Sequence, residues 1–293
     1  MTGGHQGGDV TRPGQSANQP EGFEEPRPQI DTTRPSISRV YDYMLGGKDN
    51  FAVDRMVAEK ALLIAPNAPH AARSNRRFLK RVVRFLAAEA GIRQFLDIGS
   101  GLPTQGNVHE IAHEVAPEAR VVYVDNDPIV LVHGRALLAE NGSTTVVEAD
   151  IRDPEALLGN EEVRGLIDFD QPVALLLFGI LHHLGDEEDP AAIAARLRDA
   201  LPSGSYLALS HFHNPGPEHP SATELAFSSE KMFNENLGTG RWRTRDEILA
   251  YFGDMDLLEP GLVPLIQWRP DHEEILEEGD IHLLFAGGVG RKR

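Results

Sequence analysis

The stretch from Gln94 to Pro128, QFLDIGSGLPTQGNVHEIAHEVAPEARVVYVDNDP, constrains this chain more than any other. A short apolar run, Phe95-Leu96, leads into Asp97 and then the turn Gly99-Ser100-Gly101. From Thr104 to Ala116 the pattern is helical, with Val108, Ile111, Ala112 and Val115 recurring on one face. A second apolar run, Val121 to Val124, ends in Asp125. Strand, glycine turn, helix, strand and acid make the first half of a nucleotide-binding α/β domain.

Each part has a chemical use. Gly99 and Gly101 let the chain turn sharply and let a ligand approach the backbone. The following helix points its free N–H groups and positive dipole end at that ligand. Asp125, at the end of the second strand, can accept both hydroxyls of a ribose, with Asn126 beside it. Asp97 stands two residues before the first glycine, and Pro103 stands where a third glycine would be. An acid there repels a pyrophosphate but suits an ammonium group. S-adenosylmethionine carries both a ribose and an ammonium. The stretch resembles motif I of class I methyltransferases, acid-x-Gly-x-Gly followed by a ribose acid. A NAD site or a ligand-free turn are the competing readings.

Composition removes other chemistries. The 293 residues contain no cysteine, which excludes a thiol nucleophile, a cysteine-held cluster and disulfides. Hydrophobic residues make up 41%, enough for a sizeable core. The net charge of −17 disfavours general binding to nucleic-acid backbones. The longest apolar run, Pro172 to Leu181, is shorter than the roughly 20 residues that cross a bilayer. No charged start followed by an apolar block marks a signal peptide, so a cytoplasmic protein is expected.

Residues 1–34 are rich in Gly, Pro, Gln and Glu and read as a disordered tail. Two helices follow, Ser36 to Leu45 and a second running to about Ala65, with Asp49 or Asn50 as its cap. Between them the block RVYDYMLGGKDNFAVDR (Arg39 to Arg55) is dense in polar and aromatic groups. Pro69 to Ala90 reads as one long helix with an apolar stripe. Its Arg73, Arg77, Lys80, Arg81 and Arg84 read as a solvated basic face, and Arg73 or Asn75 as able to reach a cofactor carboxylate.

That block, with FLDIGSGLPT, YVDNDP and LHHL, closely resembles a family of actinobacterial S-adenosylmethionine-dependent methyltransferases, formerly domain of unknown function 574. The resemblance runs from about Arg34 to the C-terminus. It implies a Rossmann-like, mostly parallel seven-stranded sheet closed by an antiparallel hairpin. It also implies that residues 35–90 fold over the cofactor site as a cap on a core of residues 91–293, forming one compact unit. It would bring Tyr43, Gly46, Gly47, Lys48 and Asp49 near the donor or the acceptor.

Further along, Thr144 to Glu148 reads as a strand ending near Asp150. In the methyltransferase pattern Asp150 takes the adenine amino group, and Ile151 offers its backbone and an apolar surface. Asp153 reads as a helix cap. Pro172 to Phe178 is a central strand buried on both faces. His182 and His183 follow it, where open α/β sheets put ligands, and are candidates for proton transfer or substrate orientation alongside Tyr43. Phe178 is expected at the cofactor edge. The segment His211 to Arg243 reads as a substrate lid rather than a metal site, since its histidines match no ligand spacing. Thr244 and Glu247 form a capping box. Strands are expected around Leu257 to Pro264 and at Ile281 to Ala286, before a Gly-rich tail.

The expected reaction is methyl transfer from S-adenosylmethionine to a small-molecule acceptor. The alternatives are a non-catalytic S-adenosylmethionine-binding module and a NAD-dependent oxidoreductase.

Overall fold

A computed structural model of the chain describes residues 1, 3–4, 30–103, 106–138, 142–271 and 279–293. Most of the expected N-terminal tail and the start of the helix at Thr104 lie outside the described residues. Residues 30–34, expected in the tail, are tied to the fold. Ile30 packs on Leu102, Ile129 and Val130, and Arg39 donates to the carbonyls of Asp31 and Arg34.

Three helices open the chain: α1 (Ile37–Leu45), α2 (Ala52–Ile64) and α3 (Ala68–Ala88). Then come β1 (Gln94–Ile98), α4 (Val108–His113), β2 (Arg120–Asp125), α5 (Pro128–Leu138) and β3 (Thr144–Glu148). After α6 (Pro154–Gly159) and α7 (Glu161–Leu166) come β4 (Ala174–Phe178), α8 (Pro190–Asp199) and β5 (Tyr206–Phe212). The last part holds α9 (Pro220–Leu237), α10 (Arg245–Ala250), β6 (Asp256–Leu257), β7 (Val263–Pro264), α11 (Asp280–Leu283) and β8 (Phe285–Arg291).

The strands form one sheet in the order β3-β2-β1-β4-β5-β8-β6, with β7 also paired to β8. The first five run parallel, whereas β8 runs antiparallel to β5, β6 and β7. The sheet therefore has eight described strands, not seven. The extra strand arises because the Leu257 to Pro264 region is two two-residue strands, each pairing with β8.

Successive residues of a strand face opposite sides. Leu96, Val122, Leu175 and Leu207 point to the face covered by α6, α7, α8 and α10. Phe95, Val121, Leu176 and Ala208 point to the face covered by α3 and α4. That double burial is why β4, Ala-Leu-Leu-Leu-Phe, is apolar throughout.

The end of the chain departs from expectation. Residues 280–283 are helical, and the glycine-rich stretch after them is strand β8 rather than a tail. The glycines are there for space: a Cβ on Gly287 would lie 2.6 Å from the Phe78 ring, and one on Gly290 2.9 Å from Phe252. Side chains press on the backbone from both faces, and only glycine admits them.

A third cluster sits off the sheet. Val40 and Met44 of α1, Val57, Ala58 and Ala61 of α2, Ala72 of α3 and Met232 of α9 pack together. The helix of the expected lid is thus seated against the N-terminal helices. The remainder of α3 belongs to the sheet core, where Phe78, Leu79, Val82 and Leu86 are buried. No helix among the described residues is long and apolar enough to cross a membrane.

Candidate active site

The carboxyl ends of β1, β2, β4 and β5 open into a cavity of about 230 Å³, roofed by α1, α2 and α9 and walled by α3. Asp97, Gly99, Ser100, Gly101, Asp125, Asn126, Phe178, His182 and His183 all line it. Three separate segments, at the ends of β1, β2 and β4, therefore bring their expected residues to one place.

The turn after β1 has both glycines in the left-handed region, Gly99 at φ 73° and Gly101 at φ 68°. Nothing stands within 4 Å of where a Gly101 Cβ would be, so its freedom serves the backbone turn. The Gly101 N–H donates to Asp125 Oδ2 at 2.8 Å, and the Asp127 N–H donates to Oδ1 at 2.9 Å. Burial raises the Asp125 carboxyl above its ordinary range, and these donors pull the other way.

Asp97 is only 4% exposed and takes no hydrogen bond or ion pair among the described residues. Burial pushes its carboxyl up to about 7; the charge of Arg76 opposes the shift and that of Asp125 adds to it. A buried acid facing a cavity without a partner is suited to a cation. An ammonium fits beside this acid.

The histidines after β4 are buried, neutral and held in place. The Phe212 N–H donates to His182 Nδ1 at 3.2 Å, so the neutral ring carries its proton on Nε2. The His182 ring stacks on Phe212 at 3.5 Å. Burial drives His182 well below the ordinary histidine range and holds His183 down to about 3. Beneath them, buried Arg243 donates to the carbonyls of Leu181 and Leu184 and to Asp186. His211 lies against Arg243 at 3.3 Å, and His213 bonds the Leu283 carbonyl. These two histidines brace the loops. No group of three or more His, Asp or Glu among the described residues is arranged to hold a metal ion.

Comparison with known proteins decides the family. A model of the family described as S-adenosyl methyltransferase matches residues 23–293. The chain belongs to that family. This methyltransferase family includes solved relatives from actinobacteria. One is a "putative methyltransferase" from Thermobifida fusca YX, 46% identical over 92% of this chain and 98% of that one, with a TM-score of 0.86. Another is a DUF574 family protein from Streptomyces avermitilis, 42% identical over 90% and 100%, with a TM-score of 0.85. The family expected from the sequence is therefore the one found. An O-methyltransferase family protein from Burkholderia thailandensis shares the fold at 14% identity and a TM-score of 0.50, over 82% of this chain and 60% of that one. No curated protein matches.

Within this methyltransferase, some expected residues stand elsewhere. Tyr43 and Gly46 do not line the cavity. Tyr43 packs in the cluster of α1, α2 and α9, and Gly46 ends α1 in the left-handed conformation. Gly47, Lys48 and Asp49 are exposed. The polar density of their block has a structural cause. Asp42 Oδ2 accepts from the Asp49 N–H and from Asn50 Nδ2, and Arg39 pairs with buried Asp54 at 2.8 Å. Asp54 also accepts the Phe51 N–H, so it closes the start of α2 in place of Asp49 or Asn50. Asp150 and Ile151 are not on the cavity lining. Asp150 is held by Asn126 and Arg152, and Ile151 is buried in the core.

Tyr41 and Arg76 line the cavity without having been picked out, whereas Asn75 was an expected candidate. Tyr41 lines the cavity, donating to the Ala72 carbonyl at 3.1 Å and accepting from Asn75 at 3.2 Å. Asn75 in turn accepts from Ser210 of β5 at 2.7 Å, which ties the roof to the sheet. Asn75 and Arg76 line the cavity, whereas Arg73 is exposed. Arg81 is buried rather than solvated, donating to the Trp268 and Leu265 carbonyls.

Proposed function

We propose that this chain transfers the methyl group of S-adenosylmethionine to a small-molecule acceptor. The observation that carries the reading is one cavity with two unlike ends. Asp97, without a partner, stands beside the glycine turn at one end, and rings of Phe212, Phe233 and Trp242 line the other.

In this reading Asp97 holds the ammonium of the donor's amino-acid end. Gly99 and Gly101 admit the donor to the backbone, and Asp125 accepts its ribose hydroxyls. Asp150 lies off the cavity lining but is tied to Asn126, which is on it, and is kept in this reading as the partner of the adenine amino group at the cavity's margin. The sulfonium supplies an activated methyl with a good leaving group. The chain's own task is to align the acceptor with that methyl and exclude water. The roof of α1, α2 and α9 serves exclusion, and the fixed rings of His182 and Phe212 serve alignment.

Calorimetric titration tests this. S-adenosylmethionine and S-adenosylhomocysteine are expected to bind at micromolar Kd, weakened by a factor of about ten or more in Asp125→Ala through loss of two ribose hydrogen bonds. Binding of NAD alone overturns the reading.

A further inference from the structure

The end of the cavity away from the glycine turn has an unusual wall. Phe212 and Trp242 stack at 4.1 Å with planes 13° apart, and Phe233 meets both edge-on at 5.5 and 5.4 Å. Met44 and Met232 close the space from α1 and α9. The charged side chains on the lining are Arg76, Asp97 and Asp125, and the electrostatic coupling of Asp97 to the other two groups all three at the donor end. A charged acceptor entering the ring-lined end would give up its hydration without a counter-ion. Phe212 has one face on Trp242 and the other on His182, so it meets a ligand by its edge, a contact that still favours a ring.

Two histidines interrupt this wall, and Ser229 of α9 also lines the cavity. His182 is 2% exposed and His183 6%, with ring centroids 4.4 Å apart. The Phe212 N–H uses the Nδ1 lone pair of His182, which leaves an Nε2–H to donate. The His183 ring makes no hydrogen bond among the described residues, and its Nδ1 is buried without a partner. Being neutral, it carries one N–H and one lone pair; with the proton on buried Nδ1, the lone pair lies on Nε2, the ring nitrogen left to meet a ligand. A donor beside a lone pair complements a group that both accepts and donates. A hydroxyl does so; a ketone, an ether or a carboxylate does not.

We propose that the methyl acceptor is an uncharged ring compound bearing a hydroxyl, which His182 and His183 bracket, the first donating to its oxygen and the second accepting its proton. This rests on the methyltransferase reading above. The hydroxyl oxygen forms the new bond to the methyl carbon. The carbon–sulfur bond breaks with its electron pair going to sulfur, leaving S-adenosylhomocysteine, and the hydroxyl proton passes to the His183 ring. Held neutral by burial, His183 is a weak base. It takes the proton late, once the oxygen has gained the methyl and the proton has become strongly acidic. Because its Nδ1 lone pair is occupied, His182 orients and does not deprotonate.

Three probes of one shape test the proposal on the full chain saturated with S-adenosylhomocysteine: 2-naphthol, 2-methoxynaphthalene and 2-naphthoate. By calorimetry, 2-naphthol is expected to bind about tenfold or more tighter than either of the others. His183→Phe is expected to close the gap between naphthol and methoxynaphthalene while leaving S-adenosylhomocysteine affinity unchanged. The wild-type comparison stands alone if that variant does not fold. Naphthoate binding as tightly as naphthol, or naphthol failing to bind the saturated protein, overturns the proposal. Failure of S-adenosylhomocysteine itself to bind overturns the methyltransferase reading, and this inference with it.

Discussion

Asp97 keeps a carboxylate out of water with only the charge of Arg76 to offset it. Its carboxyl titrates near 7 in the fold against an ordinary value of 3.8, so the folded chain binds the extra proton between those values. Stability contributed by that proton is full below about pH 4 and is lost as pH rises through 7. Asp97→Asn is therefore expected to raise the melting temperature at pH 8 relative to wild type, and thermal scans at pH 5 and pH 8 show whether the gain is confined to the higher pH. The same variant is expected to bind S-adenosylmethionine about tenfold or more weakly, because the ammonium loses its charged partner. Binding of an ammonium favours the ionised acid, so S-adenosylmethionine is expected to release a proton near pH 6 and bind more tightly at pH 8. Titrations in buffers of different ionisation enthalpy measure that release. Asp97 and Asp125 were legible in the sequence because they occupy fixed places around a glycine turn. Tyr41 was not. It lies two positions from Tyr43, on a different side of the same helix, and no periodicity in so short an element says which side meets a cavity.

The joint between α1 and α2 shows the same limit at the scale of elements. Its polar block stood out in the sequence, but polar groups that bind a ligand and polar groups that bind each other have the same composition. The joint is held by the Arg39–Asp54 pair, with side chains 3% and 0% exposed, and by the Asp42 turn. Removing one partner of a buried pair strands the other's charge. Arg39→Ala is thus expected to cost about 3–5 kcal/mol, and hydrogen exchange should place the loss first in α1 and α2. A Cβ on Gly47 would stand 1.9 Å from Asp42 Oδ1, so Gly47→Ala is expected to loosen the same turn without touching the sheet. The parallel strands were legible because double burial writes itself as an apolar run. Strand β8 was legible only at its start, Phe285 and Ala286, because its glycines serve close packing, and glycine reads as loop when neighbours far along the chain are unseen.

Across the whole molecule, the roof joins segments far apart in sequence. Ser36 donates to Asp127, in the loop after Asp125, and Lys60 of α2 donates to Asn236 of α9 at 2.7 Å. Since α1, α2 and α9 roof the cavity, their movement is expected to set the rate of ligand exchange. The chain has no cysteine, so Lys60→Cys with Asn236→Cys offers two unique thiols. Bridging them with a short bis-maleimide is expected to slow S-adenosylhomocysteine release by about tenfold or more, read by stopped-flow displacement, while the unbridged double variant releases it at the wild-type rate. The sheet has a further consequence, in the order of synthesis. Strand β8 is the last described strand to be made, yet it is the sole partner of β6 and β7 and covers the edge of β5. A nascent chain halted before residue 285 carries a five-stranded parallel sheet open at β5 as well as at β3, and two strands that have nothing to pair with. Such an edge recruits other chains. The vulnerable interval for this protein therefore lasts until residues 285–291 have emerged, when a holding chaperone on the β5 edge would matter most.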